Sequence, residues 1–174
     1  NYFIKEYQAA NNEIAVVYSQ DSHYSMPKGA NLLNLKSMVL KVDESSRAIL
    51  ASDMEQQFSQ AKKEGIKYFI VVVNMSTTMF GSVDDLDTIT DFLTENKLHF
   101  KLHVDGAFGG FIYPFTNDNN KLTFNNKHIS SFTLDGHKML QSPYGTGIFL
   151  IRKNWMPYAN TKEASYVEGE DYTL

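Results

Sequence analysis

Short apolar runs alternate with amphipathic stretches along this chain. "EIAVVYS" (13–19) predicts a strand, and "HYSMPKGANLL" (23–33) a helix with Asp21 or Ser22 near its N-cap. "SMVLKV" (37–42) predicts a second strand. In "SDMEQQFSQAKKEG" (52–65), Met54, Phe58 and Ala61 fall on one helical face, Ser52 or Asp53 offers a cap, and Gly65 offers a stop. "KYFIVVVN" (67–74) is continuously apolar and largely β-branched, the pattern of a strand covered on both faces. "DDLDTITDFLTENK" (84–97) repeats the helical pattern through Leu86, Ile89 and Leu93. "FKLHVD" (100–105), "ISSFTL" (129–134) and "GTGIFLIRK" (145–153) predict three more strands. The polar, turn-rich "TNDNNKLTFNNK" (116–127) predicts a surface loop.

Strand and helix in alternation predict an α/β fold: three layers around a mostly parallel sheet. In such sheets ligands gather beyond the carboxyl ends of the strands. Unusual polar residues fall at those ends. His23 follows the first strand, Thr77 and Thr78 follow "YFIVVV", Asp105 and Ala107 follow "FKLHV", and His137 and Lys138 follow "SSFTL". Each has a structural explanation when taken alone. Asp105 can cap a turn, Lys138 can be a solvated lysine, His23 can start a helix, and either threonine suits a turn. Their recurrence at four strand ends asks for a common ligand.

Composition narrows the choice. The 174 residues fit one domain, and 43% are hydrophobic, enough for a sizeable core. A net charge of -4 argues against nucleic acid as main partner. No apolar run spans a bilayer, and no basic-then-apolar signal pattern opens the chain. Cysteine is absent, which rules out a disulfide framework and fits a cytoplasmic setting. His99, His103 and His128 lack ligand spacing, so no metal site is expected. "GAFGGF" lacks the G-x-G-x-x-G spacing of a dinucleotide fingerprint, and no G-x-S-x-G elbow is present.

"HVDGAFGGFIYPF" (103–115) followed by "SSFTLDGHKMLQSPYGTGIFLIRK" (130–153) resembles the core of the group II pyridoxal-phosphate-dependent amino-acid decarboxylases. "VVYSQDSHYSMPKGANLL" (16–33), "NMSTTMFGSVDDLDTI" (74–89) and "YVEGEDYTL" (166–174) resemble further family segments in the family's order. The resemblance implies the large domain of the aspartate-aminotransferase fold (fold type I), incomplete at both ends. A phosphate-binding loop would precede residue 1, and a small C-terminal domain would follow residue 174.

It also implies roles. Lys138 would form a Schiff base with pyridoxal 5'-phosphate. Asp105 would hold the pyridinium nitrogen, since a nearby carboxylate favours the protonated ring. His23 would stack on one ring face and Ala107 would pack on the other. His137 would contact the phosphate, and Thr78 would lie near the cofactor. Asp135 stands where many relatives carry Asn or Ser. A carboxylate close to a phosphate dianion is repelled, so Asp135 is expected to point elsewhere. The implied activity is decarboxylation of an L-amino acid by a homodimer, with the isolated piece inactive. Two other readings keep the cofactor: a sphingosine-phosphate-lyase-like carbon–carbon lyase, or an aminotransferase. A third is a non-catalytic dimerisation module.

Overall fold

The computed structural model describes residues 1–158, together with the backbone of two short strands, Lys162–Glu163 and Glu170–Asp171. The motif at 166–174 otherwise lies outside the described residues. After a short helix, α1 (Tyr2–Tyr7), the chain runs β1 (Ile14–Ser19), α2 (Ser25–Leu32), β2 (Lys36–Leu40), α3 (Ala51–Lys63), β3 (Tyr68–Asn74), α4 (Leu86–Glu95) and β4 (His99–Asp105). It continues through α5 (Tyr113–Thr116), β5 (Ile129–Asp135), β6 (Gly147–Ile151) and a 3-10 turn at Lys153–Tyr158.

The six-stranded sheet has the order β2-β1-β3-β4-β5-β6. Neighbours are parallel up to β5, and β6 returns antiparallel to β5. The architecture is the mostly parallel α/β sheet that the sequence predicts. Leaving β1, the chain first steps to β2 on one side, then crosses back to β3 on the other. Right-handed crossovers therefore put α2 on one face and α3 with α4 on the other. Packing follows this rule. Met54, Phe58 and Ala61 of α3 and Leu86, Ile89 and Leu93 of α4 share a core with Val17, Val71, Val73, Leu102 and Val104. Ala30 of α2 packs instead with Val16, Tyr18 and Val72, the alternate residues of the same strands. With both faces covered, β1 and β3 bury nearly every side chain, which explains their unbroken apolar sequence.

Helix boundaries agree to within about two residues, but the caps differ. Gly65 does end α3, at φ +82. Asp85 caps α4, accepting the Asp87 N–H at 3.1 Å. Neither Ser52 nor Asp53 caps α3: its N-cap is Leu50, and buried Asp53 accepts the Lys41 N–H at 2.8 Å instead. Asp21 and Ser22 do not cap α2, whose N-cap is Tyr24. Both serve the loops described below. The 116–127 segment is a loop as expected, yet Leu122 and Phe124 turn inward onto the core.

Candidate active site

Four strand ends build a narrow cleft at the carboxyl edge of the sheet. It is lined by His23, Asn74, Ser76, Thr77, Thr78, Asp105, Ala107, Phe108 and Lys138. Each comes from a different reach of sequence. The turn after β1 carries His23, the loop after β3 carries Ser76 to Thr78, β4 ends on Asp105, and the turn after β5 carries Lys138. β1 and β3 are where the strand order reverses, the place where open α/β sheets bind ligands.

The loops are fixed by buried polar contacts. Asn74, the last residue of β3, donates its side-chain amide to Ser19 Oγ (3.2 Å), Ser22 Oγ (2.9 Å) and Asp84 Oδ2 (2.8 Å). Its backbone N–H also reaches Asp84 Oδ2 at 2.7 Å. This hub ties the turn bearing His23 to the loop bearing Thr78. Burial pushes the Asp84 carboxyl up to about 6, against the pull of its Asn74 hydrogen bonds. Farther out, Arg47 Nε donates to Asp21 Oδ2 at 2.8 Å, and its guanidinium lies 3.9 Å from the Phe80 ring centre. On the floor of the neighbouring turn, Gly109 backs onto Ser76. A Cβ at Gly109 would stand 2.3 Å from the Ser76 Cβ.

Asp105 is half-buried, and its Oδ1 accepts the Ala107 N–H at 3.0 Å, which sets the turn. His23 accepts the Ser25 N–H at Nδ1 (3.3 Å), which leaves Nε2 to carry the ring proton. The hydroxyl of Thr77 is 2.8 Å from Ser82 Oγ, closing its own loop, whereas Thr78 is exposed at the cleft. Two positions before Asp105, His103 lies between Ser131 Oγ (2.8 Å) and Thr133 Oγ1 (3.1 Å). Burial lowers its imidazole to about 4, so the ring is neutral near pH 7.

The cleft brings together five of the six residues to which the resemblance assigns roles, His23, Thr78, Asp105, Ala107 and Lys138, and Thr77 beside them. His137 is not among its lining residues. Its Nδ1 lies 3.2 Å from the Thr146 carbonyl and its ring 5.3 Å from that of Tyr144. Asp135 is not among the lining residues either; its Oδ2 is 2.9 Å from Lys138 Nζ. Asn74, Ser76 and Phe108 also line the cleft, and sequence reasoning misses them. Their signal in sequence is position alone, at or within three residues of a strand end.

Residues 4–174 match the pyridoxal-dependent decarboxylase conserved domain. The chain belongs to the pyridoxal-dependent decarboxylase family. It is 53% identical to the tryptophan decarboxylase of Clostridium sporogenes over all 174 residues, which make up 42% of that protein. It is 31% identical to the histidine decarboxylase of Vibrio campbellii, over 90% of this chain and 40% of the relative. The chain thus spans about two fifths of each of these two relatives. Among solved structures, the sphingosine-1-phosphate lyase Bpss2021 of Burkholderia pseudomallei superposes with TM-score 0.77 at 17% identity, over 99% of this chain and 39% of that one. At that identity the likeness speaks for the fold alone.

The cleft of this decarboxylase-family chain suits pyridoxal phosphate by its chemistry. It offers an amine for an aldehyde, a carboxylate for a ring nitrogen, an imidazole for a ring face, and hydroxyl groups at Ser76 and Thr78. Among the described residues no cluster of His, Cys, Asp and Glu is fit to hold a metal ion. Nor is any helix there long and apolar enough to cross a membrane.

Proposed function

We propose that the full-length protein decarboxylates an L-amino acid, with this chain as part of its cofactor-binding large domain. The observation that carries the reading is that Lys138 and Asp105, from neighbouring strands, line one cleft together with His23. Pyridoxal phosphate supplies an aldehyde carbon and a ring that takes up the electron pair left on Cα when carbon dioxide departs. Lys138 would hold the cofactor's aldehyde and yield that place to the substrate amine. Asp105 would hold a proton on the ring nitrogen, which keeps the ring able to take up charge. His23 would cover one ring face, and the small Ala107 would leave room on the other. Thr78 stands near the cofactor. His137 is assigned to the phosphate; with its Nδ1 at the Thr146 carbonyl, Nε2 is the atom that would reach it.

An aromatic substrate is the first choice. The support is the 53% identity to a tryptophan decarboxylase, held over the whole chain. A homodimer in the cytoplasm completes the proposal.

Spectroscopy on the full-length protein tests it. Pyridoxal phosphate should give a visible absorbance band that Lys138→Ala abolishes. Tryptophan, tyrosine, histidine, glutamate and aspartate are then screened for released carbon dioxide, with tryptophan expected to be best. A lysine-dependent band without carbon dioxide from any amino acid points to another lyase or an aminotransferase. No band at all leaves a non-catalytic module. Asp105→Ala should keep the band and lower kcat by about 100-fold or more, the scale of removing one charge-stabilising group from a reaction centre; near-normal turnover would remove its role.

A further inference from the structure

The turn that carries Lys138 also carries its ion-pair partner. Lys138 Nζ lies 2.9 Å from Asp135 Oδ2, and His137 Nε2 lies 3.8 Å from the same oxygen. Backbone bonds hold the turn. The Lys138 N–H donates to the Asp135 carbonyl (3.2 Å), the Gly136 N–H to the Thr146 carbonyl (2.8 Å), and the Ser142 N–H to the Gly136 carbonyl (2.9 Å). The side chains of Lys138 and Asp135 are only 28% and 18% exposed, so the pair is partly shielded from water. Lys138 lines the cleft that holds Asp105, and Asp135 does not. The amine is therefore tethered at one edge of the cleft by a carboxylate outside it.

We infer that Asp135 is a positioning residue that parks the Lys138 amine whenever that lysine is not bonded to the cofactor. The inference rests on the reading of Lys138 given above. To bond, the lysine nitrogen adds to the aldehyde carbon and a C=N bond replaces C=O. The oxygen leaves as water with two of the hydrogens that were on the ammonium nitrogen, so nothing is oxidised or reduced. Before this, Nζ must leave Asp135. Afterwards, when a substrate amine takes the lysine's place, Asp135 stands ready to receive the freed lysine nitrogen. Asp135 thus opposes cofactor attachment and favours release of the lysine to substrate.

The test uses the full-length protein with pyridoxal phosphate, following the growth of the visible band on mixing. Asp135→Asn and Asp135→Ser keep a small polar group and remove the charge. Either one, shown folded by circular dichroism, serves if the other fails. Both should raise the rate of band formation and lower the dissociation constant by about two- to five-fold, the range of a partly exposed ion pair. Exchange of the lysine for a substrate amine should slow by a similar factor. In a Lys138→Ala background, Asp135→Asn should leave noncovalent retention of pyridoxal phosphate unchanged. An unchanged or slower band in the folded variants overturns the parking role. So does an equal gain in the Lys138→Ala background, which would assign Asp135 to repulsion of the phosphate. If the wild-type protein gives no lysine-dependent band, the reading of Lys138 fails and takes this role with it. A normal band unaffected by Asp135→Asn sinks the parking role alone.

Discussion

Buried acid groups matter here through their partners. Asp84 is 7% exposed and receives two donors from Asn74, yet burial still holds its carboxyl near 6. A group whose pKa is raised in the folded state binds its proton more tightly there than in the unfolded chain. Its contribution to stability is complete at low pH and is lost as pH climbs from about 4 to about 6. The loss amounts to about 3 kcal/mol. Asp84→Asn keeps an oxygen for the Asn74 donors and cannot ionise. Urea unfolding from pH 4 to pH 8 should show wild type losing ground to Asp84→Asn up to about pH 6, with a constant gap above it. A gap independent of pH would mean that Asp84 ionises without penalty. At this scale Asp105 and Lys138 are legible in the sequence because they directly follow strand-like runs. Asp84 and Asp135 are not, because their chemistry is set by Asn74 and by a turn whose shape no local pattern encodes.

Elements are legible where packing imposes a period. The faces of α3 and α4 carry their apolar residues three and four apart because one side lies on the sheet. α1 and α5 escape such a reading: six and four residues are too few to show a period. The caps mislead because Asp and Ser suit several jobs, and Asp53, Asp21 and Ser22 are drawn to the Lys41 N–H just past β2, Arg47 and Asn74. The glycines after β4 have an element-scale reason that spacing alone does not state. Gly109 lets the turn after β4 press against Ser76, itself held at φ +69. Gly109→Ala should push the two loops apart, cost about 1 to 3 kcal/mol in urea unfolding, and weaken cofactor binding. Adding Ser76→Gly removes both the opposing Cβ and the left-handed strain. The Met75 carbonyl oxygen, 2.8 Å from the same added Cβ, stays in place, so the double variant should recover only part of the loss. Failure to recover would place the damage elsewhere in the turn.

For the whole molecule, the sheet order decides where chemistry gathers. Reversal at β1 and β3 opens the carboxyl edge, and every candidate side chain arrives there from a strand end or the turn after it. Large apolar side chains on the same loops stay exposed: Tyr24 (63%), Met79 (81%), Phe115 (84%) and Tyr144 (96%). Large apolar side chains left exposed on the loops that build a site suit a surface that is covered. This chain matches 42% of the length of a tryptophan decarboxylase. On the function proposed above, the rest of the full-length protein or a second subunit would cover these side chains and keep water from the cleft. The 174 residues alone should therefore bind pyridoxal phosphate at least about tenfold more weakly than the full-length protein, because burying even two methylene groups under such a cover is worth about 1.5 kcal/mol. Equilibrium titration of both forms, read by the lysine-dependent absorbance band, measures the ratio. Equal affinity would mean that the nine lining residues complete the site by themselves and that the apolar rim serves some other surface.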